Sequence, residues 1–176
     1  MGVSYLTPKA HAIATTAGHF ASVASEAIAA GETVAAFGGT CLTIDQFALL
    51  SAERRRRSIQ VDELLFLAGD VDPEPADHIE HSCLPNCAMS GAVVLVAARN
   101  IEPGEAITYD YAMSDGHDND GFECRCGAPD CRGTITGRDW MLPDLQLRYR
   151  GQFSPYLARR IAALVPAGAE RRAFAL

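Results

Sequence analysis

Three cysteines, Cys124, Cys126 and Cys131, fall as C-x-C-x4-C, with Gly127 and Gly133 leaving the backbone free to wrap a small ion. Spacing this tight is typical of metal ligands rather than of a disulfide framework. Structural zinc takes four ligands in a tetrahedron, so a fourth donor has to come from elsewhere. Cys83, Cys87, Cys41 and the histidines are candidates, and spacing alone does not choose between Cys83 and Cys87. A second group is Tyr109 and Tyr111, two apart in Ala106-Ile107-Thr108-Tyr109-Asp110-Tyr111. In a strand that period puts both hydroxyls on one face, with Ile107. A buried tyrosine hydroxyl needs a partner, so the pair points to orienting a polar ligand rather than to packing. The third group is Ile79-Glu80-His81-Ser82-Cys83-Leu84-Pro85-Asn86-Cys87. Cysteine is among the most buried residue types. This reads as an irregular segment held inside the protein, its backbone polar groups committed to specific partners. The three groups are expected to form one site.

The elements that must position them are short. Ile28-Ala29-Ala30-Gly31-Glu32 is echoed by Ile101-Glu102-Pro103-Gly104-Glu105, each followed by a β-prone run. Both read as strand, tight turn, strand, with glycine supplying positive φ. Thr43 and Gln46 make a capping box. Ile44, Phe47 and Leu50 follow at helical spacing, and Arg54 to Arg57 close the same helix as a solvated cationic end. Ile59 to Leu67 predicts a strand pair, Asp70 to Asp77 a loop, and Ala92 to Ala98 a buried strand. Asp115 to Asp120 is an acidic loop that, with Glu123, either lines an entrance for a basic peptide or is simply solvated. Ser154-Pro155 begins a closing helix with the stripe Leu157, Ile161 and Leu164.

At 176 residues the chain fits one domain with a real core. A hydrophobic share of 48% and a mean hydropathy of +0.02 mark an ordinary globular protein. No apolar run is long enough for a membrane span and no secretory signal is evident. A cytoplasmic protein is therefore expected, or one at the nucleoid or in the nucleus if its substrate lies there, not a secreted one and with no membrane partner. The net charge of −7 argues against direct nucleic-acid binding and suits a basic peptide.

With these motifs in place, the chain resembles the SET-domain protein-lysine methyltransferases from about Gly18 to Gly133. Glu80-His81-Ser82-Cys83-Leu84-Pro85-Asn86 resembles their Asn-His-Ser-Cys-x-Pro-Asn signature. Gly104 to Tyr111 resembles their Gly-Glu-Glu-(Ile/Leu)-Thr-(Phe/Tyr)-Asp-Tyr motif. Phe122 to Gly127, with Cys131-Arg132-Gly133, resembles their post-SET zinc segment. The resemblance implies a mainly β (α+β) fold: a β-clip-like set of short curved sheets with a knot-like crossing, a small inserted helical region and a C-terminal helix. It implies a SET portion over residues 1–113 with the insertion at about 41–77, a post-SET segment over 114–137, and a helical extension over 138–176.

The same resemblance implies residue roles. Tyr111 falls on the catalytic tyrosine and Tyr109 on the product-specificity position. His19, Phe20 and Ala21 fall on the Gly-x-Gly cofactor motif. Glu80, His81, Tyr111 and Ile135 complete the expected S-adenosylmethionine contacts. Cys83 joins Cys124, Cys126 and Cys131 around zinc, leaving Cys87 a spectator. Two motifs depart from the pattern: both glycines of Gly-x-Gly are replaced, by His19 and Ala21, and Glu80 stands where the signature has asparagine. The implied activity is S-adenosylmethionine-dependent methylation of lysine in a basic protein or peptide, mainly to the monomethyl state because Tyr109 can crowd the channel. The rival expectation is a catalytically inactive SET-like module that binds a peptide or protein. Substrate identity and oligomeric state are open at this level.

Overall fold

The computed structural model describes residues 4–15, 18–117 and 121–164. In chain order the strands and α-helices are β1 (Tyr5–Leu6), β2 (Ala10–Ala14), β3 (Phe20–Ala24), β4 (Thr33–Ala36), β5 (Thr40–Thr43), α1 (Ile44–Ala48), α2 (Ala52–Arg56), β6 (Ile59–Asp62), β7 (Leu65–Ala68), β8 (Glu80–His81), β9 (Cys87–Ser90), β10 (Val94–Ala97), β11 (Thr108–Tyr109), β12 (Phe122–Glu123), β13 (Thr134–Ile135), α3 (Pro143–Arg148) and α4 (Pro155–Leu164). They build five small sheets: β1-β4-β10-β9, β5-β7-β6, and the pairs β2-β3, β8-β11 and β12-β13. Strands of two to five residues cannot bury much area singly, so the core is pooled. Val34 and Leu95 of the four-stranded sheet, Ile28, Ile101 and Ile107 from the segments beside the strands, and Tyr156 and Leu157 of the last helix are fully buried in one cluster.

The two Gly-Glu echoes meet. Ile28 and Ile101 exchange backbone hydrogen bonds of 3.0 and 2.9 Å, and both are fully buried. Each is followed by a turn closed by the glutamate amide, Glu32 to the Ala29 carbonyl and Glu105 to the Glu102 carbonyl. Gly31 and Gly104 take φ of 87° and 91° at those turns, a conformation that disfavours side chains with a Cβ. The glutamate carboxylates cap the same turns, accepting from the Ala29 and Glu102 amides. The expected tight turns are therefore present, with glycine at positive φ, and the two copies brace each other.

Three expectations are corrected. The helix expected from Ile44 to Arg57 is two, because Ser51 accepts a hydrogen bond from the Arg54 amide and starts α2 afresh. The capping box of Thr43 and Gln46 begins α1 as expected. The strand expected to carry both tyrosines stops at Tyr109. Asp110 accepts from the Ala112 amide at 3.1 Å and turns Tyr111–Met113 into a 3-10 turn. The stripe of α4 ends early: Leu157 is fully buried, Ile161 packs at the edge, and Leu164 is exposed. Pro155 opens that helix as expected, with the Ser154 carbonyl accepting from the Ala158 amide. Its hydroxyl, however, is buried without a partner among the described residues.

The acidic loop lies partly outside the described residues, since Asp118 and Asp120 are not among them.

Candidate active site and metal centre

The segment 79–87 is irregular and inside, as its composition demands. β8 pairs with β11 as the one parallel pair among the described strands, Glu80 opposite Thr108 and His81 opposite Tyr109. Asn86, nearly fully buried, ties the two segments: its amide nitrogen donates to the Ala106 carbonyl at 2.8 Å and its oxygen accepts from the Thr108 amide at 2.9 Å. Buried amide groups engaged on both ends rigidify a backbone that no long sheet holds.

Cys83, Cys124, Cys126 and Cys131 bring their sulfurs within 4.8 Å of one another. The Cys83–Cys124 separation is 4.0 Å, close to the edge of about 3.8 Å expected for a tetrahedron with metal–sulfur bonds of about 2.3 Å. The β12-β13 hairpin carries Cys124 at its base, with Cys131 before the return strand. Amides point at the sulfurs, Cys83 N–H to Cys126 Sγ and Arg132 N–H to Cys83 Sγ, both at 3.5 Å. Without a cation four thiolates could not coexist here. Burial and the neighbouring thiols push Cys124 up to about 12. Burial opposes the Cys126 thiolate too, but the Cys83 and Ala128 amides and the adjacent thiols bring it down to about 6. The donor set fits a divalent ion. Cys87 is elsewhere, fully buried in β9 opposite Ala97, and burial pushes its thiol up to about 12. Cys41 is exposed on β5.

The tyrosines stay together despite the turn between them, their ring centres 4.9 Å apart. The Tyr111 hydroxyl donates to the Ile79 carbonyl at 3.2 Å, and its amide donates to His81 Nδ1 at 3.3 Å. His81 Nδ1 is therefore the acceptor, and the ring proton belongs on Nε2, 3.4 Å from Cys83 Sγ. Burial pushes His81 down to about 4, which keeps it neutral. Tyr109 is buried, with Ser114 Oγ 3.5 Å from its hydroxyl. Burial raises both phenols above their ordinary range, so both remain neutral hydrogen-bonding groups.

Two cavities flank Tyr111. A cleft of about 570 Å³ is lined by His19, Phe20, Arg57, His78, Glu80 and Tyr111, among others. A larger one of about 810 Å³ is walled by Phe37, Phe47, Phe66, Tyr109, Phe122 and Ile135 with the ends of the inserted helices. Arg57, Asp77, Ile79 and Tyr111 line both. Each volume suits a small organic ligand or a long side chain. The first is polar at one end, with His19 Nε2 2.8 Å from Glu80 Oε1.

Of the residues anticipated as cofactor contacts, His19, Phe20, Glu80 and Tyr111 line the smaller cleft. Ala21 is buried within β3, His81 is buried behind Tyr111, and Ile135 lines the larger cavity instead. Arg57, Asp77 and His78 were not anticipated as lining residues. The arginine run and the position of Asp77 and His78 just before Glu80 were their only traces. Arg132 and Asp110 were missed as a pair; they are joined through both guanidinium nitrogens.

Comparison with known proteins places this geometry. The SET domain profile matches residues 19–112, just over half of the chain. Histone-lysine N-methyltransferase ash1 of Drosophila melanogaster is 32% identical over 63% of this chain and 6% of its own length. A histone-lysine N-methyltransferase of Mycosarcoma maydis, H3 lysine-36 specific, is 45% identical over 34% of this chain and 7% of its own length. The chain thus spans a small fraction of these relatives. Among solved structures, KRYPTONITE in complex with mCHG DNA and SAH matches with a TM-score of 0.55 at 26% identity, covering 73% of this chain and 29% of that one. That complex contains DNA, whereas the expectation for this chain, drawn from its net charge, is that nucleic acid is no partner. No helix among the described residues is long and apolar enough to cross a membrane. By the family match and the likeness in fold, this chain belongs to the SET-domain family.

Proposed function

We propose that the chain transfers a methyl group from S-adenosylmethionine to the side-chain amine of lysine in a basic protein or peptide, mainly to the monomethyl state. The observation that carries this is the position of Tyr111 between two cavities that share only a narrow set of lining residues. Displacement at a methyl carbon requires donor and acceptor in line from opposite sides, and two cavities with Tyr111 in their shared lining suit that. When bound, the cofactor supplies an electrophilic methyl on a positively charged sulfur.

In this reading the smaller cleft takes the cofactor, with His19, Phe20, Ala21, Glu80, His81 and Tyr111 around it and Ile135 closing from the larger side. The larger, aromatic-lined cavity takes the lysine. A lysine amine has an ordinary pKa of about 10.4, so freeing its lone pair near pH 8 costs about 3 kcal/mol. Enclosure among Phe37, Tyr109 and Phe122 favours the neutral amine by desolvation. Tyr111, neutral and anchored on the Ile79 carbonyl, orients it, and such positioning supplies several kcal/mol of a barrier. Tyr109 crowds the channel and leaves little room for a second methyl. Cys83, Cys124, Cys126 and Cys131 hold zinc, which fastens the segment 114–137 against the SET portion, residues 1–113. The helical extension read from residue 138 onward carries α3 and α4 up to Leu164, and its residues 165–176 lie outside the described ones. SAH in the related KRYPTONITE structures, and the H3(1-15) peptide in one of them, support this choice of ligands.

The test is transfer of radiolabelled methyl from S-adenosylmethionine to a basic peptide array, with calorimetry of cofactor binding alongside. Binding with labelling of lysine supports the proposal. Peptide binding with no cofactor binding would instead favour an inactive recognition module.

A further inference from the structure

The cofactor cleft carries charges that the family resemblance leaves unexplained. His19, just ahead of β3, meets Glu80 on β8, and both stand at positions where the sequence departs from the family motifs. Their side chains are 52% and 43% exposed, so the pair itself contributes little stability and is readily exchanged. Arg57, following α2, lines the same cleft with a side chain only 12% exposed. Its bonds are poor for a group so enclosed. Nη1 is 3.4 Å from Asp77 Oδ2, Nη2 is 3.8 Å from Glu53 Oε1 and donates to the Val71 carbonyl at 3.1 Å, and Nε is buried without a partner. A guanidinium presents five donors in a fork matched to a carboxylate, and here the fork is under-used.

We propose that Arg57 and Glu80 together read the amino-acid end of the cofactor, Arg57 taking its α-carboxylate and Glu80 its α-ammonium in place of His19. This rests on the reading of the smaller cleft as the cofactor site. A carboxylate at position 80 alone would attract the ammonium and repel the adjacent carboxylate. A guanidinium lining the same cleft removes that conflict and matches a zwitterion with one charge of each sign. The other acids of the cleft do not compete for the ammonium. Asp77 is turned to the Glu74 amide and to Arg57, and Glu53 sits exposed one helical turn from Arg57. His78, partly buried against the Phe20 ring, is shifted down by burial and stays neutral. The inserted helices thus have a job in this chain beyond walling the larger cavity.

Calorimetry with four ligands tests this on wild-type protein, Arg57→Met, Arg57→Lys and Glu80→Gln. The ligands are S-adenosylmethionine, SAH, decarboxylated S-adenosylmethionine, and 5′-methylthioadenosine, which lacks the amino-acid end. Arg57→Met is expected to weaken the two carboxylate-bearing ligands about 10–100-fold, the range of a lost charge-assisted pair. The other two should hold within about 3-fold, with Arg57→Lys intermediate. Glu80→Gln is expected to weaken every ligand that carries the ammonium and to spare 5′-methylthioadenosine. An equal loss across all four ligands in Arg57→Met, or unchanged SAH affinity, overturns the assignment while leaving the cofactor cleft standing. Wild-type protein that binds none of the four overturns the cofactor cleft itself, and this assignment with it.

Discussion

Arg132 grips Asp110 through both guanidinium nitrogens, Nη1 to Oδ2 at 2.6 Å and Nη2 to Oδ1 at 2.8 Å, while its Nε donates to Asp139 at 2.8 Å. Arg132 follows the last thiol of the cysteine cluster, and Asp110 lies between the two tyrosines. Asp110 is fully buried and also receives the Tyr149 hydroxyl and the Ala112 amide. One ion pair therefore links the cysteine hairpin, the tyrosine segment and the C-terminal helices. The Arg132 amide meanwhile points at Cys83 Sγ, so both halves of the residue serve the same junction.

Breaking that pair leaves a buried carboxylate with too few donors. Removing one partner of a buried pair costs about 3–5 kcal/mol, and Arg132→Leu is expected to lose about that much in urea unfolding. Arg132→Lys keeps the charge but not the fork, and should lose less. A leucine variant as stable as wild type would mean that Asp110 finds its hydrogen bonds elsewhere.

The two buried cysteines of the central segment should separate cleanly by metal analysis. Cys83→Ala removes one of four converging sulfurs and is expected to lower bound zinc well below one per chain. Cys87→Ala lies outside the cluster and should keep the full metal content while losing stability by a cavity effect of about 1 kcal/mol. Chelation of the wild type should lower its melting temperature, since ligand assembly and folding of the hairpin are one process.

Why Cys83 and not Cys87 meets the thiols was beyond the spacing of the motif. The reason is local: after Pro85 the chain enters β9, and Cys87, opposite Ala97, faces into the core. What the sequence made legible were short-range patterns: the capping box at Thr43, the Gly-Glu turns, the cysteine spacing, and the hairpin of β6 and β7. The break at Ser51 and the turn at Asp110 were missed because each hangs on one side-chain hydrogen bond that overrides an otherwise regular period. The Arg132–Asp110 and His19–Glu80 pairs join distant segments and leave no periodic trace. Charged residues read one at a time look like solvated surface, and only the fold shows which of them face a cavity.

Tyr109 is the residue to alter for product distribution. Its hydroxyl has Ser114 Oγ at 3.5 Å, a long contact for a buried phenol, and the ring packs 6.0 Å from Phe37 and 4.9 Å from Tyr111. Removing the oxygen should not disturb the packing but would free space for an added methyl group. Tyr109→Phe is expected to move the product from monomethyl- towards di- and trimethyl-lysine, as read by mass spectrometry of a single peptide. An unchanged distribution would show that Tyr109 does not limit methylation.

The pH dependence of transfer should carry the mark of Tyr111. Burial, with added repulsion from Tyr109 and Glu80, raises its phenol above the ordinary value of about 10. The working form is the neutral hydroxyl that now donates to the Ile79 carbonyl. A raised pKa means that this form persists up to and beyond pH 10, so no fall in rate should come from Tyr111 in the accessible range. The rate constant kcat/KM is therefore expected to climb with pH as the substrate amine loses its proton, and to flatten without a descending limb below pH 10. Tyr111→Phe should cut kcat by about 100-fold or more, in the range typical of groups that position or exchange protons with a reacting atom. SAH affinity in that variant should stay within about 3-fold, because the lost hydroxyl is held by the Ile79 carbonyl and the ring that lines the cleft is kept. A bell-shaped wild-type profile falling near pH 9, and retained by Tyr111→Phe, would assign the limiting ionisation to another group.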